Sequence, residues 1–479
     1  MIAGTSGVSP VADGDRLSVA DASFVYAETS TAPLHVGMLG VFEDRGATLE
    51  RLRAHVASRV HLFARLRHKL VFVPYDQGHP VWADDEHFDV CSHVRAASLD
   101  GLADDARARR YTAEVMGAPL QRDRPLWEMR LLQMTGDRIG LIFKIHHCLL
   151  DGMSAAHLVT VLFDGKRDAP ARATEAWTPK AEPTPDALLR DAVQDQLLRV
   201  AQLRDKAAEW TASDEPRELL GRATEIAGSV VEWAKATLLT HRRASLTQWV
   251  GPYRRFETAS VALADVKQIK GSAGCKLNDV ALAMVAGGVG RMLRRRGVAT
   301  AGANVKAMVP VSTRDAAHKT SYGNLASVMA VDLPVGALSA STRLQQISEQ
   351  MTRLKSSRQW EGMDFWVGLA EHIPPAVVSL VSKVGRLQRV VDVIVTNVPG
   401  PPFPLYLLGG EMLEIYPYVP LIGATSLGIA VVSYNGRLYF GLSGDRDAMP
   451  DLAEVSRGIS TAFEELRATV ARPAQESAA

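Results

Sequence analysis

Residues 163–186, FDGKRDAPARATEAWTPKAEPTPD, constrain the fold before any other feature does. Proline, alanine and charge without apolar periodicity read as an exposed linker, since such a run has little to bury and interrupts helix and strand alike. The chain has 479 residues, too many for one ordinary core, so a linker here is expected to join two sizeable units. Residues 1–165 mix β-type runs, PLHVGMLGVFE and RIGLIFKIHH, with helical pieces such as LERLRAHVASRVHLFARL. The stretches ALLRDAVQDQLLRVAQLRDKAAEWTA and PRELLGRATEIAGSVVEWAKATLL repeat apolar residues three and four apart and predict connecting or covering helices. From about residue 251 strand and helix patterns return. LNDVALAMVAGGVGRMLRRRG predicts a helix that Asn278 could cap, with Arg294–Arg296 at its negative end and Gly297 as a stop. NVKAMVPVSTR, RVVDVIVTNVPGP and GRLYFGLSGD predict strands. The expected organisation is a mixed α/β unit over 1–165, a linker with helices over 166–250, a second mixed α/β unit over 251–470, and a flexible tail over 471–479.

Charge and cysteine usage narrow the function. A balance of 54 basic against 53 acidic residues leaves a formal charge of +1, which argues against a nucleic-acid footprint. Cys91, Cys148 and Cys275 are odd in number and show no metal spacing, so a reduced cytoplasmic setting is the simplest account. The first residues lack a charged head before an apolar run, and PLIGATSLGIAVVSY is too short and Gly/Ser-rich to span a bilayer. Lying peripherally on a membrane needs only an amphipathic or apolar surface, and that stays open.

The chemistry concentrates in LIFKIHHCLLDGMSAAHL, residues 141–158. Read as a strand, residues 141–147 put Phe143, Ile145 and His147 on one face and Ile142, Lys144 and His146 on the other. Helical periodicity resumes at SAAHLVTVLF, so Asp151-Gly152 falls at a strand-to-helix turn. Gly152 lets the backbone pass closely there, and Asp151 can accept hydrogen bonds from the turn or pair with a buried cation. A histidine presented this way suits general-base work, its reference pKa of about 6.5 being near operating pH. The plainer reading, two core histidines bonded to backbone, explains one imidazole better than it explains the whole HHxxxDG constellation. Cys148 is the alternative nucleophile, but a continuing strand would turn it away from His147, so it is expected to be a packing residue.

HHxxxDG is shared with acyltransferases related to chloramphenicol acetyltransferase and with peptide-synthetase condensation domains. RLSVADASFVYAETSTAPLHVGMLGVFE, FDVCSHVR, RDRPLWEMRLLQ, LNDVALA, VPVSTR, YGNLASV and TNVPGPPFPLYLLGGEM follow in the order seen in the bacterial wax ester synthase/diacylglycerol acyltransferase family, which the chain resembles over about 17–455. The resemblance implies two chloramphenicol-acetyltransferase-like mixed-sheet domains with a channel between them. It implies transfer of a long-chain acyl group from acyl-CoA to diacylglycerol or a long-chain alcohol, with no bound cofactor or metal. Carried over by motif, His147 is the general base, supported by His146 and Asp151. Thr396 is an oxyanion candidate beside Asn397, with serine the usual residue at its position, and a strand end before a proline turn would explain both equally. Asn278 resembles a residue near the reaction centre. Arg314 is the expected partner of Asp151. Trp127 is either a core aromatic or part of the pocket, Gly323-Asn324 a backbone requirement near the site, and RMLRRRG either solvated or a contact for CoA phosphates. SLTQWVGPYRRFE departs from the family pattern and is where acceptor choice is least legible. Two other readings compete: the same fold acting on another alcohol or a carrier-bound acyl group, and a lipid-droplet or membrane-surface binding protein that has lost turnover.

Overall fold

The computed structural model describes residues 15–150, 154–211, 246–312, 326–356, 374–385 and 391–470. The strands, in chain order, are β1 His35–Glu43, β2 His68–Val71, β3 Val81–Asp84, β4 Val94–Ala96, β5 Trp127–Met134, β6 Arg138–His146 and β7 Arg254–Ala262. They continue as β8 Asn304–Ser312, β9 Ala326–Pro334, β10 Val393–Pro399, β11 Tyr406–Leu407, β12 Gly410–Tyr418, β13 Leu427–Tyr434 and β14 Arg437–Asp445. Two six-stranded mixed sheets result, ordered β11-β12-β1-β6-β5-β4 and β7-β14-β13-β10-β8-β9.

The apolar runs become strands for the expected reason. In β6 the residues Ile139, Leu141, Phe143 and Ile145 pack into one core with Trp127, Met129 and Leu131 of β5. Ile142 on the opposite face packs with Ala108 and Tyr111 of the helix Asp105–Gly117. Asp104 starts that helix by accepting from the Arg107 amide at 2.7 Å. Lys144, fully buried, donates to the carbonyls of Val115 and Ala118 at its other end and pairs with Glu128. In the second sheet, β7, β8, β10, β13 and β14 share one apolar cluster with the helices Leu277–Arg295 and Leu452–Val470. The helix Pro185–Thr211 is present, and residues 169–184 before it carry neither helix nor strand and are mostly exposed. The second predicted connecting helix lies outside the described residues.

The two sheets are not separate in sequence. β12, from the second half of the chain, pairs antiparallel with β1, Gly37 opposite Tyr418 and Phe42 opposite Met412. Side chains of the second sheet then donate to its backbone, Tyr434 to the Met412 carbonyl and Tyr439 to Leu413, and Ser443 to Val419 just past its end, at 2.7–3.0 Å. Arg254, nearly buried at the start of β7, donates to the Thr31 carbonyl in the loop that leads into β1. These bonds set how the halves face one another. No helix among the described residues is long and apolar enough to cross a membrane.

Candidate active site

β6 delivers both motif histidines, and its end decides where their rings go. The strand stops at His146, one residue earlier than the sequence predicts, and His147–Leu149 form a turn of 3₁₀ helix. The backbone amide of His146 donates to Leu126 and that of His147 to Leu34, both at 2.9 Å, so each histidine is tied to a neighbouring segment before its ring is considered. The rings diverge. His146 is buried; its Nδ1 accepts from the Cys148 amide at 3.2 Å and lies 3.0 Å from the Cys148 thiol. His147 keeps partial exposure and stacks on Phe24 with ring centroids 3.9 Å apart. Its Nδ1 is buried and has no hydrogen-bond partner of ordinary geometry among the described residues.

Burial lowers the pKa of His147 to about 4, against a smaller opposing effect of its own backbone carbonyl. Burial likewise lowers His146 to about 3, opposed by the charge of Glu28. Both rings are therefore neutral at physiological pH. The Cys148 thiol is pushed up by burial, so it stays protonated and is a poor nucleophile. It points to His146 rather than His147, by way of the turn and not by the strand alternation expected from sequence.

Three residues outside the motif complete this cluster. His35 sits directly opposite His146 in the β1–β6 register and is fully buried. Glu28 Oε1 lies 3.4 Å from His35 Nε2 and 3.6 Å from His146 Nε2, and accepts from the Leu34 amide at 3.2 Å. Arg122 binds its other oxygen at 2.6 Å. Burial raises the Glu28 pKa, but His35, His146 and Arg122 outweigh it and hold the carboxyl at about 2. Sequence reasoning passed over Glu28, His35 and Arg122. They stand inside segments that carry the family resemblance, RLSVADASFVYAETSTAPLHVGMLGVFE and RDRPLWEMRLLQ, but nothing local marks them as neighbours of the motif histidines.

The other expected residues fall into three groups. Thr396 and Asn397 lie half-buried on β10, and Asn397 donates to Asn278 Oδ1 at 3.2 Å, so the TNVPGP turn and the LND helix start do meet. Asn278 is not the helix cap. The helix begins at Leu277, and Lys276 occupies the cap position with its amide bonded to Asp279. β13, the parallel neighbour of β10, carries Val432 in the same apolar cluster as Cys148 and Leu149. Trp127 is a core aromatic, 1% exposed, with its indole N–H on the Leu66 carbonyl at 2.8 Å. It supports β5 against the core, and this placement offers no surface to a substrate. Arg294, Arg295 and Arg296 are engaged by Val335, Glu454 and Asp451, and the Arg295 side chain stays 59% exposed. Trp249 and Tyr253 in the divergent segment are half-exposed. Asp151, Gly152, Arg314, Gly323 and Asn324 lie outside the described residues. A cleft of about 490 Å³ beside Cys275 and Ser348 is lined by none of these residues. Among the described residues, no group of His, Cys, Asp and Glu is arranged to hold a metal ion.

Comparison with known proteins shows the family. Residues 17–281 match the wax ester synthase/diacylglycerol acyltransferase catalytic domain, more than half of the chain, and residues 322–467 match the C-terminal domain of the same group. The chain belongs to the wax ester synthase/diacylglycerol acyltransferase family. It is an acyltransferase. Its relatives include candidate diacylglycerol O-acyltransferases of Mycobacterium bovis and Mycobacterium tuberculosis, each 30% identical over 463 residues, spanning 94% of this chain and 96% of the relative. The fold matches that of a wax ester synthase/diacylglycerol acyltransferase from Marinobacter aquaeolei, with TM-score 0.65 at 23% identity over 97% of this chain and all of the other. It also matches the first condensation domain of the CDA synthetase, with TM-score 0.54 at 17% identity over 95% of this chain and 96% of the other. The two mixed sheets are thus those of this wider fold, as the sequence led one to expect.

Proposed function

We propose that the enzyme moves a long-chain acyl group from acyl-CoA directly to the hydroxyl of diacylglycerol or of a long-chain alcohol, with His147 as general base. The observation that carries this is the contrast between two adjacent histidines, His146 enclosed and bonded to the Cys148 amide, His147 partly exposed and stacked on Phe24 with its Nδ1 buried. Nε2 is then the basic atom. It takes the proton from the acceptor O–H as the oxygen attacks the thioester carbonyl. The tetrahedral adduct collapses with cleavage of the C–S bond, and the imidazolium returns the proton to the departing thiolate. No acyl-enzyme forms, and the buried thiol of Cys148 has no part in transfer. A pKa of about 4 makes the resting ring neutral but only weakly basic. The oxyanion developing on the substrate offsets this, because a nearby negative charge favours the protonated imidazole. Thr396 is the hydroxyl assigned to that oxyanion, and Asn397 and Asn278 hold the turn that carries it.

The acceptor, a diacylglycerol or long-chain alcohol, is water-insoluble, so the enzyme meets it at a lipid surface. The helix Pro375–Gly385 offers a face for this: Val377, Leu380, Val381 and Val384, spaced three and four apart, are all exposed. Its inner side, with Val378 buried, packs against the helix Val19–Ala27 that holds Phe24 against His147.

The test is neutral-lipid and free-CoA release from labelled palmitoyl-CoA with dioleoylglycerol or hexadecanol. His147→Ala should lower kcat/KM by about 10²–10⁴-fold. Wild-type turnover in that variant would remove His147 as the base, and no product from either acceptor would remove the substrate assignment.

A further inference from the structure

The helix Val19–Ala27 and the residue that ends it address both motif histidines at once. Phe24 stacks on His147, and Glu28, one turn later at the helix C-cap, faces His146. We propose that Glu28, clamped by Arg122 and shared with His35, is a positioning residue for transfer, acting through His146 on the turn that presents His147. The proposal rests on the reading of His147 as the base.

The argument follows the protons. The Cys148 amide donates to His146 Nδ1, so that nitrogen carries a lone pair. The ring is neutral, and its one proton therefore sits on Nε2. Nε2 is sealed from solvent, and among the described residues it has no hydrogen-bond partner of ordinary length. The Glu28 carboxylate, 3.6 Å away, is what faces it. An anion there favours the tautomer with hydrogen on Nε2 and disfavours the alternative, which would place a lone pair against a negative charge. The opposite tautomer would also set N–H against N–H between Nδ1 and the Cys148 amide, and the turn His147–Leu149 would lose its cap. Glu28 thus governs the backbone that aims His147 without touching the reacting atoms.

The rest of the cluster fits this role. Glu28 Oε1 also faces His35 Nε2 at 3.4 Å and accepts from the Leu34 amide, and the Leu34 carbonyl receives the His147 amide. One carboxylate therefore reaches the catalytic residue along two routes, through the His146 ring and through the Leu34 backbone. Arg122 supplies the countercharge from the rim, its side chain 43% exposed against 9% for Glu28. A buried carboxylate without such a partner would be strongly destabilising.

The test combines kinetics with imidazole ¹⁵N spectra of the full-length protein labelled at histidine. Glu28→Gln keeps the shape and removes the charge. It should reduce kcat on the order of 10²-fold, the scale of a misplaced catalytic group, with an unchanged KM for palmitoyl-CoA. The His146 signals, assigned by their loss in His146→Ala, should move from a pure Nε2–H pattern towards a mixture. Glu28→Gln and His146→Ala should be non-additive in kcat. If Glu28→Gln does not fold, Arg122→Gln at the rim should show the same pattern in weaker form. Wild-type kcat and an unchanged His146 pattern in the folded variant would overturn the proposal. An active His147→Ala would instead overturn the assignment of the base, while the tautomer shift would still report whether Glu28 governs His146.

Discussion

Two consecutive histidines on one strand end meet different surroundings because one residue of backbone geometry separates them. His146 is the last residue of β6 and turns into the cluster with Glu28 and His35, whereas His147 begins the 3₁₀ turn and meets Phe24. Burial holds His147 near pKa 4, so its neutral, reactive form should prevail through the neutral range. The profile of kcat/KM, which reports the free enzyme, should stay level from neutral pH and fall only as pH approaches about 4. An inflection near the ordinary histidine value would contradict the lowered pKa of His147. Stability has the same sign. For His35, His146 and His147 the folded pKa lies below the unfolded value of about 6.5. The unfolded chain therefore takes up protons first, and stability that is complete above that pH is lost as pH falls towards the folded values. Circular dichroism at each pH separates this loss from the kinetic limb. Cys148→Ala should keep most of the wild-type rate, and iodoacetamide should leave the native enzyme active. Abolished turnover in Cys148→Ala would point to an acyl-enzyme. The motif made His147 visible in sequence, because strand periodicity and HHxxxDG coincide there. Glu28 was not visible, because its partners lie 7 and 118 residues further along the chain and no local pattern records a contact at that separation.

Elements that close on their own residues were legible; elements defined by what lies behind them were not. β1, β6, β8, β10 and β14 follow from alternation or apolar runs, and the helix Leu277–Arg295 from its periodicity and the stop at Gly297, which adopts φ +73°. The cap at Lys276 escaped because asparagine is the stronger capping residue by type, and the structure uses the Asp279 carboxylate in its place. The helix Pro375–Gly385 turns an apolar stripe outward, with Leu380 and Val381 61% and 53% exposed. An amphipathic helix lying on a lipid surface gains by burying such side chains between headgroups. Leu380→Ser with Val381→Ser should weaken co-sedimentation with phosphatidylcholine vesicles containing dioleoylglycerol. The same variant should turn over a short-chain, water-soluble alcohol at the wild-type rate. Undiminished vesicle binding would move the lipid contact elsewhere.

At the scale of the whole molecule the decisive feature is the strand that changes sides. Periodicity reports which face of a strand is buried and is silent on which sheet it joins, so nothing in residues 410–418 showed that they would pair with β1. Once β12 does so, β14 of the other sheet must pass close behind it. Gly441 marks that crossing: a Cβ built there would lie 1.7 Å from the Pro417 carbonyl oxygen. The obstacle is backbone held in the β1 ladder and flanked by the Tyr439 and Ser443 hydrogen bonds, while Gly441 is itself fixed in the ladder with β7, so neither side can swing aside as a flexible side chain would. Gly441→Ala must therefore push the sheets apart or break a ladder, and overpacking of this kind costs about 1–3 kcal/mol. Because the same crossing sets how the half bearing Thr396 faces the half bearing His147, acyl transfer should fall together with the thermal midpoint. Gly165→Ala is the matched control, since a Cβ there meets nothing within 4 Å and no left-handed φ is required. It should melt and turn over like wild type. If Gly441→Ala does so too, the seam yields more readily than its geometry implies, and the placement of the two halves must be secured by other contacts.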